Sequence, residues 1–152
     1  MGATCIYVQP IPGELFYPNL DFLNTLLRGN VNLAPQSRVL VAGEIGGELV
    51  ITAQDIEISN SILQGGVLPG LGEIRNKSGS LTLDSTKEIR IVRGSIIENN
   101  INRNSIGRGG NLILKTRFLE VKDGSQLNAV TVGEGDAGNI LIKRVFKKSR
   151  FG

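Results

Sequence analysis

The side chains best placed to do chemistry in this chain are two carboxylates, Asp55 and Glu57, which alternate with Ile56 and Ile58. Such period-two alternation is typical of a β-strand, in which successive side chains point to opposite faces. Both carboxylates are therefore expected to face outward. Polysaccharide lyases and hydrolases that are built from parallel strands need carboxylates clustered on adjacent strands. The chain has no His to serve as a general base.

Glu57 also has equivalents further along the chain. Alignment of the repeated segments places it in register with Arg90 and then with Glu120. Neighbouring strands lie about 4.8 Å apart, so these side chains would form a column of alternating charge. An ion-pair ladder explains this column without catalysis, and the alignment offers no second column of carboxylates. We predict no enzyme activity and no catalytic, cofactor-binding or metal-binding residues; a polysaccharide-active enzyme is the alternative.

Two further sets of residues, a glycine-rich segment and a group of asparagines, are interpreted as structural and not as ligand-binding. The segment Gly133–Asp136 lacks the acidic spacing of an EF-hand, and no Lys-Ser/Thr follows it as in a phosphate-binding loop. Its glycines indicate a turn with positive φ. Asn99, Asn100, Asn102 and Asn104 are interpreted as turn residues, with no support for a sugar-binding role.

The elements that would position these residues come from an internal repeat. The pattern Gly-x-apolar-x-apolar occurs five times, starting at Gly29, Gly47, Gly79, Gly110 and Gly138. A second apolar pair follows at Ile56/Ile58, Ile89/Ile91 and Leu119/Val121. A third apolar position, at Ile62, Ile96 and Leu127, does not fall into strict register. Short strands recurring every 30 residues or so predict a parallel β-helix of about four coils.

This repeat divides the chain into three parts. Residues 29–142 are predicted to form the β-helix, residues 1–28 an irregular leader and residues 143–152 a tail without strand pattern. Within the leader, Asp21–Arg28 has spacing that also suits a short helix. Inside the β-helix, Leu81, Leu112 and Ile140 are expected to stack in the core. Between the core positions, Val50, Thr82, Ile113 and Leu141 would form an outward stripe. This stripe and the open solenoid ends predict self-association.

Charge and composition exclude several classes of protein. The chain has 17 basic and 14 acidic residues. Five of the basic ones lie in the last ten positions, Lys143, Arg144, Lys147, Lys148 and Arg150. The rest of the chain is slightly acidic, which argues against nucleic-acid binding. Cys5 is the single cysteine, so no disulfide forms within the chain. No apolar run is long enough for a membrane span, and Pro10, Pro12 and Glu14 interrupt any signal-peptide core.

The segment Gly109–Ile142 carries a resemblance to a known family. It contains Gly109-Gly110-Asn111-Leu112, then Gly124-Ser125-Gln126-Leu127, then Gly133-Glu134-Gly135-Asp136-Ala137-Gly138-Asn139. These elements resemble one coil of the large bacterial exoproteins related to filamentous haemagglutinin, especially the long adhesin-like forms of cyanobacteria. The coils from Gly47 and Gly79 are similar more loosely.

The resemblance implies a right-handed parallel β-helix and a role in adhesion to a carbohydrate or protein target. It also implies a parent protein that is secreted to the cell surface by two-partner secretion, through an outer-membrane transporter. The signal peptide and N-terminal secretion domain of that family are not found in this sequence, so we expect an internal fragment or the product of a broken gene. The leading hypothesis is a structural or adhesive surface rod. The alternatives are the polysaccharide-active enzyme and a cytoplasmic solenoid that polymerises end to end.

Overall fold

The computed structural model describes residues 28–146 and, for the backbone alone, Tyr7–Val8. Within this part of the chain all regular elements are β-strands, and every strand pairing is parallel. The strands are β1 (Tyr7–Val8), β2 (Val31–Leu33), β3 (Arg38–Leu40), β4 (Leu49–Ser59), β5 (Ile62–Val67), β6 (Leu81–Val92), β7 (Ile96–Ile101), β8 (Ile106–Arg108), β9 (Leu112–Thr116), β10 (Phe118–Val121), β11 (Gln126–Asn128), β12 (Glu134–Asp136) and β13 (Ile140–Arg144).

The largest sheet, called sheet A here, contains the strands that the glycine pattern predicts. β4, β6, β9 and β13 pair in that order, and Leu49, Leu81, Leu112 and Ile140 share one register position. β4 and β6 are long because each continues into a second segment past a register irregularity, which lies between Ala53 and Asp55 in β4 and between Ser85 and Glu88 in β6. β2 pairs with the second segment of β4, and β10 with that of β6.

Two smaller sheets complete the circuit. Sheet B has the order β11-β7-β5-β3, and sheet C consists of β8 and β12. The chain passes from sheet A to B to C and returns to A one strand further along, which makes a parallel β-helix of about three turns. The predicted fold is therefore confirmed. The sequence predicts about four coils, and the fourth, which starts at Gly138, consists of β13 alone among the described residues.

The first Gly-x-apolar-x-apolar segment does not start a coil. Val31 pairs with Ile56 and Leu33 with Ile58, so β2 occupies the second strand position of the coil. The four later glycines do stack on one another. A Cβ added at Gly110, for example, would collide with the carbonyl oxygen of Gly79. At the corner that starts each coil, successive backbones thus approach too closely for a side chain.

The core is a set of apolar columns that run along the solenoid. Leu81, Leu83, Ile89 and Ile91 of β6 are fully buried, as is Leu112 of β9. Burial of this kind contributes about 1.5–3 kcal/mol per large aliphatic side chain. The expected stacking of Leu81, Leu112 and Ile140 is confirmed in register. Ile140 nevertheless keeps 42% of its surface exposed, because none of residues 28–146 lies over it.

The predicted third apolar column is correct at Leu127 and wrong at Ile62 and Ile96. Its buried members are Leu63 and Ile97, and Leu127 pairs with Ile97. Ile62 and Ile96, the positions chosen from the sequence, pair with each other on the opposite face. Each true core position follows two residues after a serine, and these serines are Ser37, Ser61, Ser95 and Ser125.

The serines form a column at the corner between sheets A and B. The hydroxyl of Ser95 accepts a hydrogen bond from the Ser61 amide at 3.3 Å and donates to the carbonyl of Val92 at 2.6 Å. The Ser125 hydroxyl accepts from the Ser95 amide at 3.1 Å. These bonds satisfy backbone groups where the chain turns and the regular ladder stops.

The boundaries predicted for leader and tail change in detail. The leader contributes β1, whose residues pair with Val50 and Ile51 of β4. The possible helix at Asp21–Arg28 lies outside the described residues apart from Arg28, which forms an ion pair with Asp84 at 2.9 Å. β13 runs beyond position 142 to Arg144. Basic residues fit there because the whole strand is exposed. Among the described residues, no helix is long and apolar enough to cross a membrane.

Candidate functional site

The charged column predicted from the sequence is present on the outer face of sheet A. Glu57 of β4 pairs in register with Arg90 of β6, and Arg90 pairs with Glu120 of β10. All three belong to the second strand position of their coils. Since their neighbours in sequence are core-facing, the alternation along each strand turns their side chains outward.

Arg90 is bonded to both glutamates at once. Its Nη1 donates to Glu57 Oε2 at 3.2 Å, and its Nε donates to Glu120 Oε2 at 2.9 Å. Lys122 Nζ lies 2.8 Å from the other oxygen of Glu120, which extends the ladder to four charges. Each of these side chains keeps more than a third of its surface in water. The ladder is therefore screened by salt and belongs to the weak class of surface ion pairs.

The ladder shifts two ionisation equilibria. The hydrogen bond to Glu120, together with the nearby negative charges, raises the pKa of Arg90 above its usual value. The pKa of Glu120 is lowered, chiefly by its hydrogen bond from Lys122 and then by that from Arg90. Both shifts favour the charged forms, which is the behaviour of a structural ion-pair ladder rather than of a residue poised to exchange protons near neutral pH.

The expectation that there is no second carboxylate column was wrong. Asp55 pairs in register with Glu88 of β6, two residues before the Glu57–Arg90 pair and on the same face of the sheet. The alignment contained this signal, because each of the two acids directly precedes the first isoleucine of its strand segment. Asp55 also accepts a hydrogen bond from the side chain of Gln54 at 3.4 Å. Two carboxylates thus stand side by side next to an arginine on an open face.

The segment Gly133–Asp136 is not a turn. Glu134–Asp136 forms β12, which pairs with β8. Gly135 has a positive φ of 119°, and a Cβ there would collide with the carbonyl oxygen of Gly107 in the coil before. A pocket of about 530 Å³ lies beside it, with Arg103, Ser105 and Glu134 among its lining residues. No group of three or more potential metal ligands occurs within the residues that the structure describes.

The four asparagines divide between strand and turn. Asn99 and Asn100 belong to β7, and Asn99 is fully buried. Its side-chain amide donates to the carbonyls of Gly79 and Asn111 at 2.9 and 3.2 Å. Asn102 and Asn104 do lie in a turn, since the amide of Ser105 donates to the carbonyl of Asn102 at 3.2 Å and Asn104 has a φ of 59°. The interpretation as turn residues is thus wrong for Asn99 and Asn100, which lie within a strand. The local pattern also does not reveal that the side chain of Asn99 connects neighbouring coils.

The outward stripe on the first half of sheet A is continuous. Val50, Thr82, Ile113 and Leu141 pair in register from one coil to the next. The first three are half-buried, and Leu141 at the end of the stack is 36% exposed. The stripe is therefore better covered by its neighbours than the sequence suggested, and its most exposed member lies on β13.

Comparison with known proteins gives no relative: no family model, no curated protein and no solved structure matches this chain.

Proposed function

We propose that the chain is a non-catalytic, structural or adhesive segment of a bacterial surface exoprotein, and that its β-solenoid presents a binding surface. The supporting sequence feature is the resemblance of Gly109–Ile142 to a coil of the filamentous haemagglutinin-related exoproteins. In this proposal the parent protein is exported through an outer-membrane transporter. The target on the other surface is a carbohydrate or a protein.

The observation that carries the proposal is the outer face of sheet A. β4, β6, β9 and β13 align a mainly apolar column of Val50, Thr82, Ile113 and Leu141, and β4, β6 and β10 align a charged column around Arg90. Because these columns are set by parallel pairing, their spacing is fixed and side chains need little ordering on contact. A rigid face that carries both an apolar and a charged stripe suits attachment to an extended polymer better than turnover in an enclosed pocket.

The test is binding by the intact chain to a panel of purified polysaccharides and matrix proteins, measured with the chain immobilised on beads. Saturable binding to a member of the panel is expected. Ile113→Lys, on the proposed face, should weaken it, whereas Ile74→Lys should not, since Ile74 lies in the loop between β5 and β6. Absence of saturable binding to every member, or equal loss in both variants, would contradict the proposal.

One observation favours the enzyme alternative, namely the Asp55–Glu88 pair beside Arg90. Incubation with pectin-like polymers, followed by measurement of new reducing ends, tests it directly. Turnover that disappears in both Asp55→Asn and Glu88→Gln would replace the adhesive proposal with a polysaccharide-active one. We expect no turnover.

A further inference from the structure

The C-terminal end of the described solenoid exposes the cross-section of its core. In the columns of sheet A, the core residues of β4, β6 and β9 are at most 3% exposed. The last residues of the same columns are much more open: Val121 is 38%, Ile140 42% and Ile142 58% exposed. The apolar surface on which a further coil would stack is thus exposed at this end. β13 extends one strand further along the solenoid than β10 and β11 do.

The N-terminal end has the complementary outline. There the first coil consists of β2 and β3, which pair with the second segment of β4 and with β5. The first segment of β4 is covered by β1, through just Tyr7 and Val8. The C-terminal end therefore has an additional strand at the first position of the coil, β13. The N-terminal end begins instead with strands at the second and third positions, β2 and β3.

We propose that the chain assembles head to tail with a second copy of itself, and that β13 of one copy takes the place of β1 on β4 of the next. β10 would then pair with β2 of the next copy, and β11 with its β3. One shared coil, with its first strand from one molecule and the others from the next, would close the junction. This inference concerns assembly of the chain by itself, without the further coils of a parent protein, and goes beyond the adhesive function proposed above.

The registers make this junction apolar inside. Ile140 and Ile142 occupy the positions that would place them on Leu49 and Ile51 of the next copy, as Leu112 and Leu114 lie on Leu81 and Leu83 within the chain. Val121 would meet Leu33, since both share a column with Ile58 and Ile91.

Sheet B continues in the same way. Leu127 would meet the next copy's Val39, because both belong to the column of Leu63 and Ile97. The serine column would run on from Ser125 to the next copy's Ser37.

The open edge of β13 has backbone amides that can donate hydrogen bonds to a further strand. The amide of Leu112 donates to Asn139, and that of Val145 to Thr116. Because the amides of a strand alternate in direction, those of Ile140, Ile142 and Arg144 point away from β9 toward the open edge.

By register, Tyr7 corresponds to Leu141 and Val8 to Ile142. β1 is thus a strand of the same apolar type with two paired residues, where β13 offers five. Exchange of the shorter strand for the longer one adds ladder hydrogen bonds. Such a heterologous contact does not close on itself, so repeated addition gives filaments.

Sedimentation velocity over a range of micromolar concentrations tests the assembly. The intact chain should exceed its monomer mass of 16.3 kDa as concentration rises. Ile142→Lys should raise the dissociation constant at least about tenfold, equivalent to about 1.4 kcal/mol. Ile74→Lys is the matched control, since Ile74 is 69% exposed on a loop, and it should leave association unchanged. A circular dichroism spectrum with the β-sheet minimum retained confirms that each variant is folded.

Two further results would overturn the proposal. If Ile113→Thr together with Leu141→Thr abolishes association while Ile142→Lys does not, the outward stripe holds the copies together instead. A chain that stays monomeric at all these concentrations excludes assembly.

Disulfide trapping decides the orientation of the copies. In a Cys5→Ser background, Gln126→Cys and Arg38→Cys are made in separate chains; both positions belong to one outward column of sheet B. Adjacent strands bring them within the Cα separation that a disulfide spans. Mixed chains should form a cross-linked heterodimer, and neither chain alone should do so. Cross-linking of the Gln126→Cys chain with itself would show a tail-to-tail contact and refute the head-to-tail arrangement.

Discussion

The core column through Leu112 allows the sharpest test of the fold. Leu112 is fully buried between Leu81 and Ile140, its register partners on either side. Leu112→Ala removes about three methylene equivalents, which at about 0.8 kcal/mol each costs roughly 2.4 kcal/mol in transfer free energy alone. The neighbouring coils cannot collapse into the space because their spacing is set by the backbone hydrogen bonds between parallel strands. A cavity cost therefore adds to the transfer cost, and a total of about 2–5 kcal/mol is expected.

Ile140→Ala is the matched control, because Ile140 belongs to the same column but is 42% exposed. It loses only part of its transfer free energy and opens no enclosed cavity, so about 1 kcal/mol is expected. Urea unfolding followed by far-ultraviolet circular dichroism, at a protein concentration low enough to keep the chain monomeric, gives both values. A cost below about 0.5 kcal/mol for Leu112→Ala, the level of a surface substitution, would refute the register.

Three further predictions follow from the ladder and from the glycine corner. Arg90→Glu should destabilise the chain, and more at low salt than at high salt, because it places three acids in one column; a salt-independent effect would contradict this. The lowered pKa of Glu120 means that its contribution is present above the ordinary value of 4.5 and is lost as pH falls through the folded pKa. The stability of Glu120→Gln should therefore fall less on acidification than that of the parent chain, as acid titrations followed by circular dichroism would measure. Gly110→Ala should cost about 1–3 kcal/mol through its collision with the adjacent coil, whereas Gly43→Ala, with open space around it, should be neutral or slightly stabilising; equal thermal shifts would show that the close approach is not needed.

The sequence predicts those features that repeat in a local pattern. Alternation of apolar residues identified the strands, and the spacing from Gly47 to Gly79 and Gly110 placed Glu57, Arg90 and Glu120 in one column. These assignments succeed because parallel stacking preserves offsets from one coil to the next.

The failures share a physical cause, which is that a short alternating segment does not reveal its position in the coil. Gly29 matches the pattern, but β2 lies under the second half of β4. Ile62 and Leu63 are both apolar, and only their distance from Ser61 shows that Leu63 is the core residue. The role of Asn99 depends on carbonyl groups contributed by other coils. No pattern within its own strand contains that information.

The direction of the hydrogen bonds gives the rod an unusual response to pulling. Between β4, β6, β9 and β13 the backbone bonds run along the solenoid axis. Tension applied to the two ends therefore acts parallel to these hydrogen bonds, so the coils separate one after another and the sheet is not sheared as a whole. Each coil that opens releases roughly 30 residues, or about 100 Å of contour length. A chain built in this way would lengthen in steps under flow and limit the force transmitted to whatever it is attached to.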